Sequence, residues 1–281
     1  MKHLSRIFIA ICYIILYAPI AVLILFSFNS TASTGVFSGF SLYWYSELFR
    51  SSDVFGALRN TLILAVSSSL TATVIGTCAA VGLDRMRSRR ARAAVTSITN
   101  IPMMNPDIVT GVSMMLLFVF VGTLIGATED KLNFWTLFAA HVTFNLPYVI
   151  LNVTPKLKSM DRNLPEAALD LGCTPLQSFF RVELPAILPG VLSGLIMAFT
   201  LSLDDFVISY FTSGSDFQTL PILIYSMTKK EVKPDIYALS TLIIISILVL
   251  LLLSNFISGR SENSKKKARR GRSAAKGGAA K

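Results

Sequence analysis

The sequence predicts an all-α fold, namely a polytopic membrane helix bundle of about six transmembrane helices with both termini in the cytoplasm. Only 15% of the 281 residues are charged, whereas soluble domains carry about 25%, and the mean hydropathy is +0.61. Several apolar runs are long enough to cross a hydrocarbon core of about 30 Å, which takes about 20 residues of helix. The basic residues are concentrated in a few of the segments that join these runs.

The predicted spans are continuous apolar runs, unlike the alternating pattern of barrel strands. They comprise residues 7–28, 61–83, a span within 95–126, 132–154, 186 to about 210, and 236–259. The first run is longer than the core of a signal peptide and lacks a clear small-residue cleavage site, so we interpret it as an anchor helix.

The distribution of lysine and arginine fixes the orientation. If the N-terminus is inside, 20 of the 26 basic residues fall on the inner side, as cytoplasmic segments require. We therefore predict an N-terminal transmembrane helix at 1–28, a five-helix core at 57–259 with a cytoplasmic loop at 155–185, and a basic cytoplasmic tail, disordered, at 260–281. Such a tail on a membrane protein is more typical of an end beside anionic lipid than of nucleic-acid binding.

The sequence offers little for catalysis or metal binding. Cys12, Cys78 and Cys173 are odd in number and lack C-x-x-C spacing, which argues against a disulfide framework or a zinc site. His3 and His141 are the two histidines, too few to favour a histidine-based metal site. We find no Gly-rich phosphate loop and no Ser-His-Asp arrangement at cytoplasmic depth. We therefore expect a non-enzymatic chain with no catalytic residue, no metal ligand and no cofactor of its own.

The loop at 155–185 is too long for a simple helix connection. Within it, Pro165 suits the first turn of a helix, and Glu166 near that start complements the helix dipole. Gly172 supplies the break. A second short apolar-faced stretch at 175–184 follows, and Pro185 is expected to stop it before the fifth span. We predict two short helices joined at a glycine turn, an ordered elbow on which a second protein can push.

This loop resembles a known one. From Glu166 to Pro185 the chain reads E-A-A-x3-G-x9-V-x-L-P, which is similar to the EAA loop of ABC-importer permeases, E-A-A-x3-G-x9-I-x-L-P. Val182 stands where Ile is usual, and Cys173 stands where Ala is common. The loop also lies between the fourth and fifth spans on the cytoplasmic side, as in that family.

The resemblance extends over nearly the whole chain and ends at about Arg260. Residues 105–111, N-P-D-I-V-T-G, and residues 198–206, A-F-T-L-S-L-D-D-F, resemble the permeases of spermidine/putrescine importers, and most of all the second permease of that system. The resemblance implies a type I ABC-importer permease fold. It also implies a transmembrane permease subunit that moves polyamines across the bacterial inner membrane by alternating access.

The resemblance implies partners as well. A second permease completes the pore, two ATPase subunits bind the EAA loops together with ATP and Mg, and a periplasmic binding protein delivers substrate. The residues implied to form the elbow that couples to the ATPase are Glu166, Ala167, Ala168 and Gly172, and Asp170 is a candidate for a salt bridge to the ATPase. Outside this context Glu166 would be an ordinary helix-start carboxylate, and for Asp170 a solvated position is an equal alternative.

Three carboxylates are predicted within the spans. A carboxylate near the bilayer centre costs about 2.5–3.5 kcal/mol, so it usually faces a cavity or a partner. At a rise of about 1.5 Å per residue, Asp107 is predicted near the midplane, and Asp204 and Asp205 near the outer end of the pore. For a polyamine, these groups would lower the charge barrier, and Phe206 and Tyr210 would add cation–π contacts of about 0.5–2 kcal/mol.

Structural alternatives exist for each carboxylate. Adjacent helix residues diverge by about 100°, so Asp204 and Asp205 are not both expected on one pore wall. One of them can cap a helix start after a break, or pair with a basic residue of the partner permease. Asp107, which follows Pro106, can instead satisfy backbone amides loosened by the proline.

Other functions remain open from the sequence. An ABC permease for another solute, such as iron or thiamine, has the same loop, although acidic rather than basic groups in the spans argue against anionic solutes. A secondary transporter or channel is less favoured, because those often show inverted repeats and the EAA-type loop has no second copy here. A nucleic-acid binder rests on the tail alone. For His141 and Asn145, one helical turn apart, we favour hydrogen bonds between helices over substrate binding.

Overall fold

The computed structural model describes residues 2–31, 36–126, 131–161, 163–215, 217–229, 235–246, 248 and 249. The regular structure of these residues is helical, apart from an isolated antiparallel bridge between Asn29 and Phe40. The helices are α1 (Lys2–Phe26), α2 (Tyr43–Leu48), α3 (Ser52–Arg85), α4 (Arg89–Met104), α5 (Asp107–Leu124), α6 (Phe134–Ser159), α7 (Asn163–Asp170), α8 (Pro175–Ser178), α9 (Leu184–Asp204), α10 (Val207–Thr212), α11 (Leu220–Thr228) and α12 (Asp235–Ser246). The predicted all-α fold is confirmed.

Helices that are long and apolar enough to cross a membrane occur in each of the first five predicted spans. They are Arg6–Phe26, Ser52–Arg85, Asp107–Leu124, Phe134–Ser159 and Pro175–Asp204. The sixth predicted span begins with α12, a shorter apolar helix, and most of the rest of it lies outside the described residues, as does the predicted tail at 260–281. The chain is a multi-pass membrane protein.

The third predicted span is broken at Asn105 and Pro106. Asn105 is extended (φ −82°, ψ 145°), because the residue before a proline is disfavoured in the α region. The chain therefore ends α4 and begins α5 with Asp107. The prediction that Asp107 lies midway along a continuous helix from residue 95 is wrong, since Asp107 is the first residue of its helix.

The fifth predicted span differs at its start. A π-helical turn, Phe179–Glu183, joins α8 to α9 without interruption, and its closing bond runs from the N–H of Leu184 to the carbonyl of Phe179. Pro185 was expected to stop the preceding helix, and that expectation is wrong. A proline lacks the N–H that would bond to the fourth residue before it and collides with that carbonyl. The wider π turn just before it accommodates the ring.

The fifth predicted span is also broken near its end. Asp204 is the last residue of α9, Asp205 is extended (φ −65°, ψ 123°), and α10 begins at Val207. The prediction of a continuous helix through Asp204 and Asp205 is therefore wrong. The 100° separation assumed for their side chains does not apply, because the two residues lie on opposite sides of a helix end.

The described residues divide into two compact units, one from 1–60 and 218–250 and the other from 61–217. The first unit has its own apolar core, made by Leu48, Val54, Ala57, Leu220, Leu223 and Leu239. In the second unit α6 packs against α9, and α5 packs against α10. Its core includes Ala72, Val142, Val149, Val153, Ile187 and Ala198. All the site residues predicted from the sequence belong to this second unit.

Candidate functional site

The predicted elbow at Gly172 is present, and its backbone geometry explains why glycine is needed. Gly172 has φ +86°, a left-handed conformation that other L-residues adopt at a cost. The N–H of Cys173 bonds to the carbonyl of Ala168 at 3.1 Å, and that of Gly172 to the carbonyl of Leu169 at 2.9 Å. This pair of bonds is a Schellman motif, which ends α7 and satisfies its last carbonyls.

A second cap follows at once. The Thr174 hydroxyl accepts a bond from the N–H of Gln177 at 3.3 Å, and the Gln177 side chain accepts one from the N–H of Thr174 at 3.0 Å. This capping box starts α8. The two predicted helices are thus fixed by a C-cap and an N-cap only two residues apart, so the elbow is an ordered structure.

The predicted ATPase-coupling residues share the surface of this elbow. Glu166 lies in the first turn of α7 and Asp170 is its last residue. Both carboxylates are exposed, as are Ala167 and Gly172, whereas Ala168 is buried. The arrangement places one small residue against the body of the protein and presents the others outward. The role of these residues in coupling remains a prediction.

Apolar side chains surround the same elbow, and the sequence interpretation did not single them out. Leu171 is 86% exposed, Leu176 70% and Phe180 56%. A contiguous group of exposed large apolar residues typically marks a protein–protein contact. The available signal was that Leu171 and Leu176 flank a glycine turn outside any apolar run long enough to span the membrane.

The second group of predicted residues lies around the break between α9 and α10. The Asp205 carboxylate accepts hydrogen bonds from the backbone N–H of Ser209 at 2.8 Å and from that of Ile208 at 3.3 Å. Its side chain is only 8% exposed. The alternative that one aspartate caps a helix start after a break is therefore confirmed for Asp205.

A buried polar network holds this break in place. His141 of α6 hydrogen-bonds through Nδ1 to Ser202 of α9 at 3.2 Å, and through Nε2 to Ser209 of α10 at 3.0 Å. Asn145 donates to Ser202 at 2.7 Å. The prediction that His141 and Asn145 bond between helices is confirmed. Since His141 contacts residues on both sides of the break, it fixes the position of α10 relative to α9.

Ser68 of α3 extends the network, with its hydroxyl 3.0 Å from that of Ser202. Ser68, Ser202 and Ser209 were not identified from the sequence. A serine in an apolar helix usually hydrogen-bonds to the backbone of its own helix. The packing of the helices places these three serines in one hydrogen-bonded network with His141 and Asn145.

Asp107 is brought close to this break by helix packing. Four residues after it, Gly111 of α5 lies so close to α10 that a Cβ there would meet the carbonyl of Val207 at 3.4 Å and a ring carbon of Phe211 at 3.1 Å. Helix α5, which begins at Asp107, thus packs against α10, the helix that follows Asp205. Asp107 is exposed and makes no hydrogen bond to a described residue, so the alternative role of satisfying loosened amides is not observed.

Asp204 completes the acidic group. It is exposed at the C-terminal end of α9 and directly precedes Asp205. A carboxylate at that end of a helix is disfavoured by the helix dipole. Within the described part of the chain, no lysine or arginine forms an ion pair with Asp107, Asp204 or Asp205. Asp205 Oδ2 also lies 3.5 Å from Nε2 of the buried His141. The group therefore offers carboxylate oxygens with which a cation can interact.

Aromatic rings adjoin these carboxylates. Phe206 directly follows Asp205, and its ring centroid lies 5.4 Å from that of Tyr210, a residue 47% exposed. The substrate-pathway residues predicted from the sequence therefore lie around one feature of the fold. That feature is the helix break between α9 and α10, and not a shared helix face. Their contact with substrate remains a prediction.

Comparison with known proteins gives a consistent result. The family model for the binding-protein-dependent transport system inner membrane component matches residues 72–267. The putrescine transport system permease protein PotI of Escherichia coli (strain K12) is 39% identical over 260 residues, which cover 91% of this chain and 92% of PotI. The spermidine/putrescine transport system permease protein PotC of the same strain is 38% identical over 251 residues, 89% of this chain and 92% of PotC.

Solved structures support the fold. A bacterial ABC transporter involved in the import of the acidic polysaccharide alginate matches with a TM-score of 0.69 and 19% identity, over 92% of this chain and 95% of that chain. The MetNI methionine ABC transporter in an inward-facing conformation matches with a TM-score of 0.57 and 20% identity, over 76% and 98% of the two chains. The predicted type I permease fold and the predicted likeness to polyamine permeases are confirmed. This chain belongs to the family of binding-protein-dependent transport system inner membrane components, the permease subunits of ABC transporters.

Proposed function

We propose that this chain is a permease subunit of an ATP-driven importer that moves polyamines, putrescine or spermidine, across the bacterial inner membrane by alternating access. One observation supports the substrate class above all. The packing of α5 against α10 brings the helix start at Asp107 near the break that holds Asp204 and Asp205, and no lysine or arginine among the described residues forms an ion pair with them.

The chemistry of the substrate matches this group. A polyamine is a flexible chain with several ammonium charges, and each charge is disfavoured in a low-dielectric pore. Carboxylates close to the route offset that cost, while the faces of Phe206 and Tyr210 offer cation–π attraction of about 0.5–2 kcal/mol. The PotI and PotC names support the same class of solute. An anionic solute would instead be repelled by these side chains.

The elbow around Gly172 supports an ATPase as the source of energy. Glu166, Ala167, Asp170 and Gly172, together with the exposed Leu171 and Leu176, form a surface of the kind that a partner protein covers, and the buried Ala168 holds it against the body of the chain. We propose that two ATPase subunits bind this surface and the equivalent surface of a second permease. They would supply the ATP and Mg sites, so that this chain would need no catalytic residue and no cofactor. A periplasmic binding protein would deliver the substrate.

The test is uptake by the reconstituted importer. Proteoliposomes containing this chain, its partner permease and the ATPase, with the binding protein outside, should accumulate labelled putrescine or spermidine only when ATP is present. Thiamine and ferric iron, the solutes of the alternative assignments, should not be accumulated. ATP-dependent accumulation of either of those, with none of polyamines, would replace the proposed substrate class.

A further inference from the structure

Glu183 is an unusual residue for its position. It ends the π-helical turn between α8 and α9, inside the continuous helical segment Pro175–Asp204, and it is only 5% exposed. Glutamate is almost never buried to this degree unless it is paired. A neutral residue would form this helical turn equally well, so the buried carboxylate must be explained by the residues that it contacts.

The contact is a salt bridge to a distant part of the chain. Arg85 Nη2 donates to Glu183 Oε1, and side-chain exposure is 53% for the arginine and 7% for the glutamate. Arg85 is the last residue of α3, where a basic side chain is also favoured by the helix dipole. The salt bridge therefore joins the cytoplasmic end of α3 to the turn that leads into α9.

The same turn is joined to the coupling elbow. Helix α7 packs against the π-helical turn and α8, and the Ser178 hydroxyl donates to the carbonyl of Pro165 at 3.3 Å. Ser178 is buried and immediately precedes the π turn. α7 therefore contacts the residues that precede Glu183 both by packing and by a hydrogen bond.

Direct packing between α7 and the end of α3 is reduced by a cavity. It has a volume of about 520 Å³, and its lining includes Arg85 and Glu183 together with Pro165, Glu166 and Leu169 of α7. Among the described residues, Arg85–Glu183 is also the one ion pair between a lysine or arginine and a carboxylate. In the part of the chain that the structure describes, the salt bridge is the polar side-chain contact that joins the π-helical turn to the end of α3.

We infer that Arg85 and Glu183 are positioning residues for energy coupling, and that their salt bridge carries the movement of the coupling elbow to α3. The inference rests on the proposed function in that it takes an ATPase to be the partner at the elbow. α3 also contributes Ser68 to the polar network around His141, so movement of its cytoplasmic end reaches the helices that bear the acidic group.

The test measures ATP hydrolysed per putrescine imported in proteoliposomes containing the full importer. We expect Arg85→Gln and Glu183→Gln each to raise this ratio by at least about fivefold, the low end of measured coupling effects. Arg85→Lys, which retains the charge, should keep it near the wild-type value. The double variant Arg85→Glu with Glu183→Arg, which reverses the salt bridge, should bring the ratio of ATP hydrolysed to putrescine imported part of the way back to the wild-type value. Arg87→Gln is the matched control, since Arg87 lines the same cavity and is exposed.

A second readout does not depend on the substrate. Cys78 is exposed on α3, and a nitroxide attached there, with Cys12 and Cys173 replaced by serine, reports movement of this helix. Trapping the complex with ATP and vanadate should change the spectrum of the wild-type complex and leave that of Arg85→Gln unchanged.

Failure of the proposed substrate class and failure of the coupling inference give different results. If the wild-type importer accumulates no polyamine but α3 still responds to ATP only with the salt bridge intact, the substrate proposal fails and the coupling inference stands. If Arg85→Gln keeps both the wild-type ratio and the spectral change, the inference is overturned. Should Arg85→Gln not assemble because it leaves the buried carboxylate of Glu183 unpaired, Glu183→Gln decides, because it removes that charge and keeps the shape of the side chain.

Discussion

The backbone N–H of Ser209 donates a 2.8 Å hydrogen bond to the carboxylate of Asp205. One side chain thus starts a helix and supplies negative charge at the same point of the fold. These two roles can be separated, because serine and asparagine are good N-caps without charge. A change that preserves the cap and removes the charge tests function with little effect on the fold.

The polar network around His141 predicts a stability effect. His141→Ala leaves the hydroxyls of Ser202 and Ser209 without the imidazole that joins them, in a fully buried site. We expect the free energy of unfolding to fall by about 2–3 kcal/mol, because buried polar groups lose their partner. Thermal and denaturant unfolding of the purified chain in detergent measures the change.

Thr143→Ala on the same helix is the control for that experiment. Its hydroxyl is exposed and bonds only to the carbonyl of Ala139 in its own helix. It should change stability by less than about 0.5 kcal/mol. Equal effects of the two substitutions would show that the network does not stabilise the break between α9 and α10.

Gly172→Ala should damage the elbow. At φ +86° an alanine costs about 1–2 kcal/mol, and α7 has only eight residues with which to resist the strain. We expect weaker binding of the ATPase by about fivefold or more, which corresponds to about 1 kcal/mol. Pull-down of purified ATPase by the permease at several concentrations measures this. Gly82→Ala, in α3 with open space around the glycine, should leave binding unchanged.

The exposed leucines of the elbow predict a binding effect without a folding effect. Leu171 and Leu176 are 86% and 70% exposed, so Leu171→Asp and Leu176→Asp remove little packing within this chain. We expect unchanged thermal stability of the permease and ATPase binding reduced by about tenfold or more, as for a buried apolar contact at an interface. Ser159→Asp adds the same charge at an exposed position at the end of α6. An equal loss from that control would indicate general charge repulsion in place of a specific contact.

The parts of the fold that depend on local sequence were predictable. The elbow was predicted from Pro165, Glu166 and Gly172, because proline and acidic residues favour the start of a helix and glycine favours its end through local backbone effects. The helix breaks beside Asp107 and Asp205 were missed, because hydropathy does not register a change of backbone direction inside an apolar run. The N-P pair before Asp107 was the available signal for the first break.

Contacts between distant segments were not predictable in the same way. Arg85 and Glu183 are 98 positions apart, and His141 is 61 positions from Ser202. Each pairing depends on helix packing that one sequence does not specify. The residues of the acidic group were named correctly as polar positions in apolar surroundings, but their proximity is a property of the packing of α5 against α10.

We expect the carboxylates of Asp107 and Asp205 to attract the cationic substrate, and uptake of labelled putrescine by the reconstituted importer measures this attraction. The double variant Asp107→Asn with Asp205→Ser removes both charges and keeps the helix cap. We expect its uptake to fall by about tenfold or more, equivalent to about 1.4 kcal/mol of lost attraction, with unchanged thermal stability. Asp53→Asn, an exposed carboxylate at the start of α3, should keep the wild-type rate. Uptake by the double variant at the wild-type rate would show that these two carboxylates do not attract the substrate.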